Sequence, residues 1–381
     1  MAASRVCGVQ MVLATPNAFD ACRQVDDLID RALAANASDI HLEPIAGGYE
    51  IKQRVDGMLT LLQAVDASSG SEMINRLMFL ARLLTYRTEI PQESRLCVHL
   101  PQHPPVEVRL AIMPCRHGLR AVLRLPTAMG KSLDLSSLCL PTQVLRELLL
   151  FAQCDSGLLA ITGPAGSGKT TTVYALLEHM VQHHPGQCII SLEDPIERDI
   201  PGVTQIEINP FGQMTHAAAM RSILRQDPQV LALGEIRDAT TASLAMQAAL
   251  TGHRLICTMH AGSPAAALRR WCEMGIETHQ ISSAVRCIVT QRLVRKLNPG
   301  VSAGESAAAA RYHGRFPLAQ VARMDDTLRA ALLCHADAAA LEAAIAKQPQ
   351  YQSLRDVATG AANVTDQAEL DRALGPVDSA F

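Results

Sequence analysis

Aromatic residues are scarce in this 381-residue chain: one Trp, five Tyr and six Phe. So few rings leave little material for the stacking platforms that hold single-stranded nucleic acid. Positive charge is not in surplus either, since 34 Lys and Arg stand against 37 Asp and Glu, for a formal net charge of −3. No bulk field therefore draws the protein to nucleic acid or anionic lipid, although local basic grooves are compatible with that total. No apolar run reaches eighteen residues, which excludes a membrane-spanning helix. The eleven cysteines contain no C-x-x-C pair, and that counts against a cysteine zinc site. Scattered through a chain of this size, they suit a reducing compartment. After Arg5 the stretch "VCGVQMVLA" imitates the apolar segment of a signal peptide, but Gly8 and Gln10 interrupt it. A cytoplasmic location is the expectation.

What the sequence does have is two differently patterned parts, enough for two or three domains. Residues 1–17 are set apart as a tail. "DACRQVDDLIDRALAAN" then spaces its apolar residues as an amphipathic helix. The segments "SDIHLEP", "YEIKQRVDG", "VEVRLAIMP" and "LRAVLRLP" read as strands, with "SEMINRLMFLARLLTY" as an intervening helix. Residues 18–127 are thus expected to form a small α+β module, followed by a linker over 128–140, within "TAMGKSLDLSSLCLP". From 141 to 300 the apolar runs "GLLAIT", "CIISLE", "VLALGE" and "RLICTM" alternate with helical segments. That alternation predicts an α/β domain with a mostly parallel sheet and helices on both faces. Residues 301–381 are Ala-rich with periodic Leu, as in "DTLRAALLCHADAAALEAAIAK", and predict a C-terminal helical region.

The strand "GLLAIT" runs into Gly163, Pro164, Ala165, Gly166, Ser167, Gly168, Lys169, Thr170 and Thr171. This is the order G-x-x-x-x-G-K-[ST], with a strand before it and a helix after it, as a P-loop requires. Glycines let backbone N–H groups wrap phosphates, the helix N-terminus adds its dipole, and Lys169 reaches the β- and γ-oxygens. ATP is the expected ligand, with Thr170 on Mg²⁺. "SLEDPIE" then puts Glu193, Asp194 and Glu197 at a strand end, where carboxylates face the ligand crevice of a parallel sheet. "VLALGEIRD" offers Glu235 at another strand end, with Gly234 where a Walker-B Asp usually stands.

The order "ASDIHLEP", "RVDG", "GPAGSGKTTT", "SLEDPIE", "LRQDPQVLALGEIRD", "TGHRLICTMHA" and "QRLVRKL" resembles the type II secretion and type IV pilus assembly ATPases, a branch of the secretion-ATPase superfamily. The likeness covers roughly Val25 to Leu297 and continues faintly through "YHGRFPLAQVARMDD". It implies a PAS-like N-terminal module joined to a RecA-like P-loop ATPase domain. It also implies a homo-oligomer, a hexameric motor, with an inner-membrane platform protein as its partner on the cytoplasmic face. By the resemblance, "SLEDPIE" is the Asp box with Glu193 and Glu197, "GEIRD" the Walker B with Glu235, and "TGHRLICTMHA" the His box with His260. Thr170, Glu193 and Glu235 would surround Mg²⁺. The segment "VEVRLAIMPCRHGLRAVLRLP" puts the family's two arginine fingers at Arg109 and Arg124.

Some positions depart from the family. "NPG", Asn298 to Gly300, stands where relatives commonly have two C-x-x-C pairs, so no zinc is expected. The large N-terminal domain that docks many relatives is not recognisable before the first helix. Leu119 replaces a usual Glu, and "HAGSP" a usual His-Thr-Asn ending. His253 and His260 flank a predicted strand, which separates them by about 20 Å at strand rise and rules out a shared metal ion. His260 is expected beside the phosphates, His253 at a subunit or interdomain contact. Pilus retraction, a RecA-like nucleic-acid motor and a non-hydrolysing scaffold remain as alternatives. Few aromatics and the negative charge count against the nucleic-acid motor, so no nucleic-acid partner is expected.

Overall fold

Each element begins where the sequence supplies a cap or an apolar pattern. Asp20 accepts hydrogen bonds from the amides of Cys22 and Arg23 and so starts α1 (Ala21–Ala34), which turns Val25, Leu28, Ile29 and Ala32 inward. The computed structural model describes residues 20–100, 105–126, 134–208, 214–299, 311–361 and 363–376. The chain divides into two units, residues 1–128 and 129–381.

In the first unit α1 is followed by β1 (Asp39–Ile45), β2 (Gly48–Val55), β3 (Met58–Asp66), α2 (Ala67–Leu80), β4 (Gln92–Val98), β5 (Val106–Cys115) and β6 (Gly118–Arg124). The strands form one antiparallel sheet in the order β3-β2-β1-β6-β5-β4. Both helices share one core with it, around Ile40, Leu42, Met73, Leu77, Val108 and Leu123. Two strands, β3 and β4, lie outside the sequence expectation. β3 exposes Met58, Leu59, Leu61 and Leu62 at the sheet edge, so it lacks the alternation that marks a half-buried strand. α2 starts at Ala67, four residues before the pattern suggests, because Asp66 caps it on Ser69 N.

The second unit opens with a 3₁₀ turn, Leu135–Leu138, that buries Leu135 inside the stretch expected to be linker; residues 127–133 lie outside the described residues. There follow α3 (Thr142–Gln153), β7 (Gly157–Thr162), α4 (Lys169–His183), β8 (Ile189–Glu193), β9 (Thr204–Glu207), α5 (His216–Ile223), β10 (Val230–Leu233), α6 (Ala239–Leu250), β11 (Arg254–Met259), α7 (Pro264–Glu273), α8 (Thr278–Ala284), β12 (Val285–Leu297), β13 (Tyr312–Arg323), α9 (Asp326–Leu333), α10 (Ala338–Ala346), α11 (Leu354–Gly360) and α12 (Gln367–Leu374). Seven strands order as β13-β12-β7-β11-β10-β8-β9, all parallel except β13. The strand period of two divides the core between the faces. Leu159, Ile161 and Ile256 pack with α3 and α4, whereas Leu158, Ala160 and Leu255 pack with α5 to α10 around Trp271. Burying each such Leu or Ile contributes roughly 2–3 kcal/mol.

The helical reading of residues 301–381 needs correction. Residues 312–323 form β13, which pairs antiparallel with β12 from Cys287↔Arg323 to Leu297↔Tyr312. Its Ala319, Val321 and Ala322 are buried on the two faces of the same sheet. Alanine favours helix in isolation, but the ladder offered by β12 decides the backbone here. α11 and α12 then pack on Val294 and Leu318, so the C-terminal stretch is built onto the P-loop sheet. No helix among the described residues is long and apolar enough to cross a membrane.

Candidate active site

Parallel register lines up the strand ends that matter. Thr162 of β7 pairs with Met259 of β11, Cys257 with Leu233 of β10, and Leu233 with Leu192 of β8. The residues that follow, Gly163, His260, Gly234 with Glu235, and Glu193, therefore share the carboxyl edge of the sheet, where α/β folds take ligands.

The P-loop packs closely against β12. Gly163 (φ 149°) and Gly168 (φ 89°) sit in the left-handed region, and a Cβ on Gly163 would lie 2.4 Å from the Gln291 carbonyl oxygen. Gly168 caps α4, and Lys169 begins it. Lys169 Nζ donates to Gly163 O at 2.9 Å and Pro164 O at 2.8 Å. Burial pushes its pKa below the ordinary lysine value; Glu235 opposes that and Arg292 adds to it. Ser167 Oγ is buried without a hydrogen-bond partner among the described residues. A glycine-lined cradle at a helix N-terminus, with a desolvated cation and an orphaned hydroxyl, fits a polyphosphate.

Glu235 is held from both sides. Its Oε2 accepts from Arg237 Nε at 2.7 Å and its Oε1 lies 3.1 Å from His260 Nε2. The other ring nitrogen, His260 Nδ1, is 3.2 Å from Gly163 O. Arg237 also approaches Asp194, with Nη1 3.5 Å from Oδ2. Asp238 of the same motif is a helix cap, accepting from Thr241 N at 2.8 Å. Glu193 is 6% exposed, and takes hydrogen bonds from Tyr174 Oη, from Ser191 Oγ at 2.5 Å and from Gln205 Nε2 at 3.0 Å. Burial, then the bond to Glu193, raises the Tyr174 phenol well above its ordinary value. The same phenol oxygen accepts from Glu197 N at 3.1 Å, and Glu197 Oε1 accepts from Thr170 Oγ1 at 3.4 Å. Of the two glutamates in "SLEDPIE", Glu197 thus meets the P-loop threonine, while Glu193 anchors the loop through Tyr174. His253 lies at the opposite end of β11, where its carbonyl accepts from Gly157 N at 3.1 Å and its Nδ1 lies 3.1 Å from Ala248 O.

Arg109 and Arg124 belong to the first unit, where they are direct cross-strand partners on β5 and β6. Arg124 also faces Asp39 on β1, Asp39 faces Arg54 on β2, and Arg109 faces Arg95 on β4. One row across five strands thus carries four arginines and a buried Asp39, which Arg124 Nε meets at 3.3 Å and Arg54 Nε at 3.4 Å.

Sequence reasoning did not single out Tyr174, Arg237, Gln291, Arg54 or Arg95. Arg237 stands inside the quoted "GEIRD", two residues from the Glu235 it binds; Tyr174 on α4 reaches Glu193 with its phenol, Gln291 backs the P-loop from β12, and Arg54 and Arg95 join the arginine row of the first unit by strand register.

A family model described as "Type II/IV secretion system protein" matches residues 19–370. The chain is 36% identical to the type II secretion system protein HxcR of Pseudomonas aeruginosa, over 75% of this chain and 60% of that protein. It is 38% identical to the type II secretion system ATPase E of Vibrio cholerae, over 72% of this chain and 54% of that one. The chain therefore matches little more than half the length of these relatives. In fold it resembles the Legionella pneumophila ATPase DotB, with a TM-score of 0.73 at 22% identity, covering 94% of this chain and 97% of that one. A P-loop backed by β12, a Glu235 held at the end of β10 and a family match over residues 19–370 lead to one conclusion: the chain belongs to the type II/IV secretion system protein family.

Proposed function

We propose that this chain is an ATP-hydrolysing motor that powers assembly of a type IV pilus or a type II secretion pseudopilus. It works as a homo-oligomeric ring, a hexamer, docked on an inner-membrane platform protein from the cytoplasmic side. The second unit serves as a RecA-like ATPase domain and the first as a PAS-like module. The observation that carries this reading is the convergence of Lys169, Glu235 and His260 at one sheet edge beside an anion cradle.

When ATP binds, Lys169 leaves the Gly163 and Pro164 carbonyls for the β- and γ-oxygens. Thr170 and Glu235 would hold Mg²⁺, which would supply charge neutralisation to the phosphates. Glu193, saturated by its three donors, contributes by fixing Tyr174 and so Glu197. Glu197 orients the attacking water, and Arg109 and Arg124 supply guanidinium forks to the phosphoryl group.

Steady-state turnover of the full chain tests this. Lys169→Ala should abolish nucleotide binding or lower turnover by at least about 100-fold, the scale of one lost transition-state contact. Glu235→Gln should still bind ATP yet stop hydrolysis. Wild-type turnover in either variant would refute the motor.

A further inference from the structure

β12 passes behind the P-loop and gives it three consecutive side chains. Thr290 Oγ1 lies 2.7 Å from Thr162 Oγ1, and Gln291 Oε1 accepts from Thr172 Oγ1 at 3.0 Å. The next residue, Arg292, is different in kind. Its guanidinium is half-buried, yet it meets no carboxylate among the described residues. Nη1 donates to Gln291 O at 3.2 Å and Nη2 to Gly262 O at 3.3 Å. Several arginines of this unit find acids, Arg198 with Glu178, Arg237 with Glu235 and Arg295 with Glu369, whereas Arg254 and Arg270, like Arg292, donate to backbone carbonyls. Burying a guanidinium against neutral carbonyls alone leaves most of its charge uncompensated.

Its position says what would compensate it. Gln291 O, which accepts from Arg292 Nη1, is the same oxygen that lies 2.4 Å from a Cβ built on Gly163. Gly262 follows His260 by two residues, so the guanidinium ties the β12 backbone that lies beside the first P-loop glycine to the loop after β11. Its charge bears on Lys169 and lowers that pKa. Two desolvated cations are therefore close enough to bear on one another beside the P-loop. The 260–263 loop is also tied to two helices, by Arg270 Nη1 to His260 O at 3.3 Å and by Ser263 Oγ to Glu342 Oε1 at 3.2 Å.

We propose that Arg292 is a nucleotide-contacting residue that binds the terminal phosphate of the triphosphate, releasing Gly262 as it does so. The inference rests on the reading of the P-loop as an ATP site and adds to it a contact made from within the same unit. A diphosphate does not extend to the guanidinium, so Arg292 returns to Gly262 O when the terminal phosphate leaves. The 260–263 loop, with α7 and α10 attached, thereby receives the difference between the two nucleotides.

Affinities of full-length wild type, Arg292→Gln and Arg292→Lys are measured for a non-hydrolysable ATP analogue and for ADP, together with kcat and KM for ATP. A charge-assisted contact accounts for about tenfold in affinity or more. Arg292→Gln should weaken the triphosphate analogue by at least that factor and leave ADP within about twofold. Arg292→Lys, which keeps the charge but not the fork, should show the same bias in smaller measure, and it decides the matter if the Gln variant does not fold. Equal weakening of both nucleotides, or no change in either, overturns the proposal and makes Arg292 a support for the loop. If wild type binds neither nucleotide, the ATP-site reading fails instead.

Discussion

His260 touches Gly163 O through one ring nitrogen and Glu235 through the other. Both acceptors are oxygens, so both contacts together need two N–H groups, and a neutral ring must give one up. A phosphate arriving at the P-loop competes for the same donors. His260→Ala frees one oxygen of Glu235 and is expected to lower turnover at least about tenfold, the scale of one hydrogen bond to a charged group. It should also blunt the preference for ATP over ADP, while melting temperature hardly moves because the side chain is 44% exposed. Turnover and nucleotide preference like wild type would leave His260 as a strand cap. The opposite placement of His253 and His260 was readable from strand period alone. The pairing of His260 with Glu235 was not, because it joins residues on β11 and β10 through a register that no local pattern encodes.

Among the elements, α12 is pinned to β12 by one carboxylate. Glu369 is fully buried and accepts from Arg295 N, Nε and Nη2 at 2.9, 3.0 and 2.6 Å, and from Arg372 Nε at 2.7 Å. Burial alone would raise its pKa, but the hydrogen bonds from Arg372 and Arg295 outweigh it and hold the carboxyl at about 2. The folded value lies below the unfolded one, so the stabilisation is complete above the ordinary carboxylate range and fades as pH falls from there towards 2. From the size of the shift it is on the order of 3 kcal/mol. Glu369→Gln should therefore lower the melting temperature clearly at pH 7, with the gap to wild type closing on acidification. A pH-independent gap would mean that packing, not charge, holds α12. The strands that carry this pin escaped the sequence reading for related reasons. β12 is buried along most of its length, so it lacks alternation. β13 is bounded by Ala-rich helix-like sequence that only its partner strand overrides.

At the scale of the whole molecule, the two units divide after residue 128. The arginine row of the first unit was legible only as the pair Arg109 and Arg124. Arg54, Arg95 and Asp39 join it because the antiparallel registers of five strands coincide. Like charges directly opposite one another destabilise a sheet, which favours a role beyond stability. Arg109→Ala is therefore expected to leave the melting temperature near that of wild type, whereas Arg124→Ala also takes a partner from the buried Asp39 and should lower it. Turnover should fall by at least about 100-fold, towards the range seen for lost arginine fingers, with nucleotide affinity kept. A lowered melting temperature with unchanged turnover would make the row structural.

At rest both oxygens of Glu235 are occupied, by Arg237 and by His260. If the chain hydrolyses ATP as proposed, any metal or water that comes to Glu235 must share or displace these partners, so the acid is gated by two neighbours within its own site.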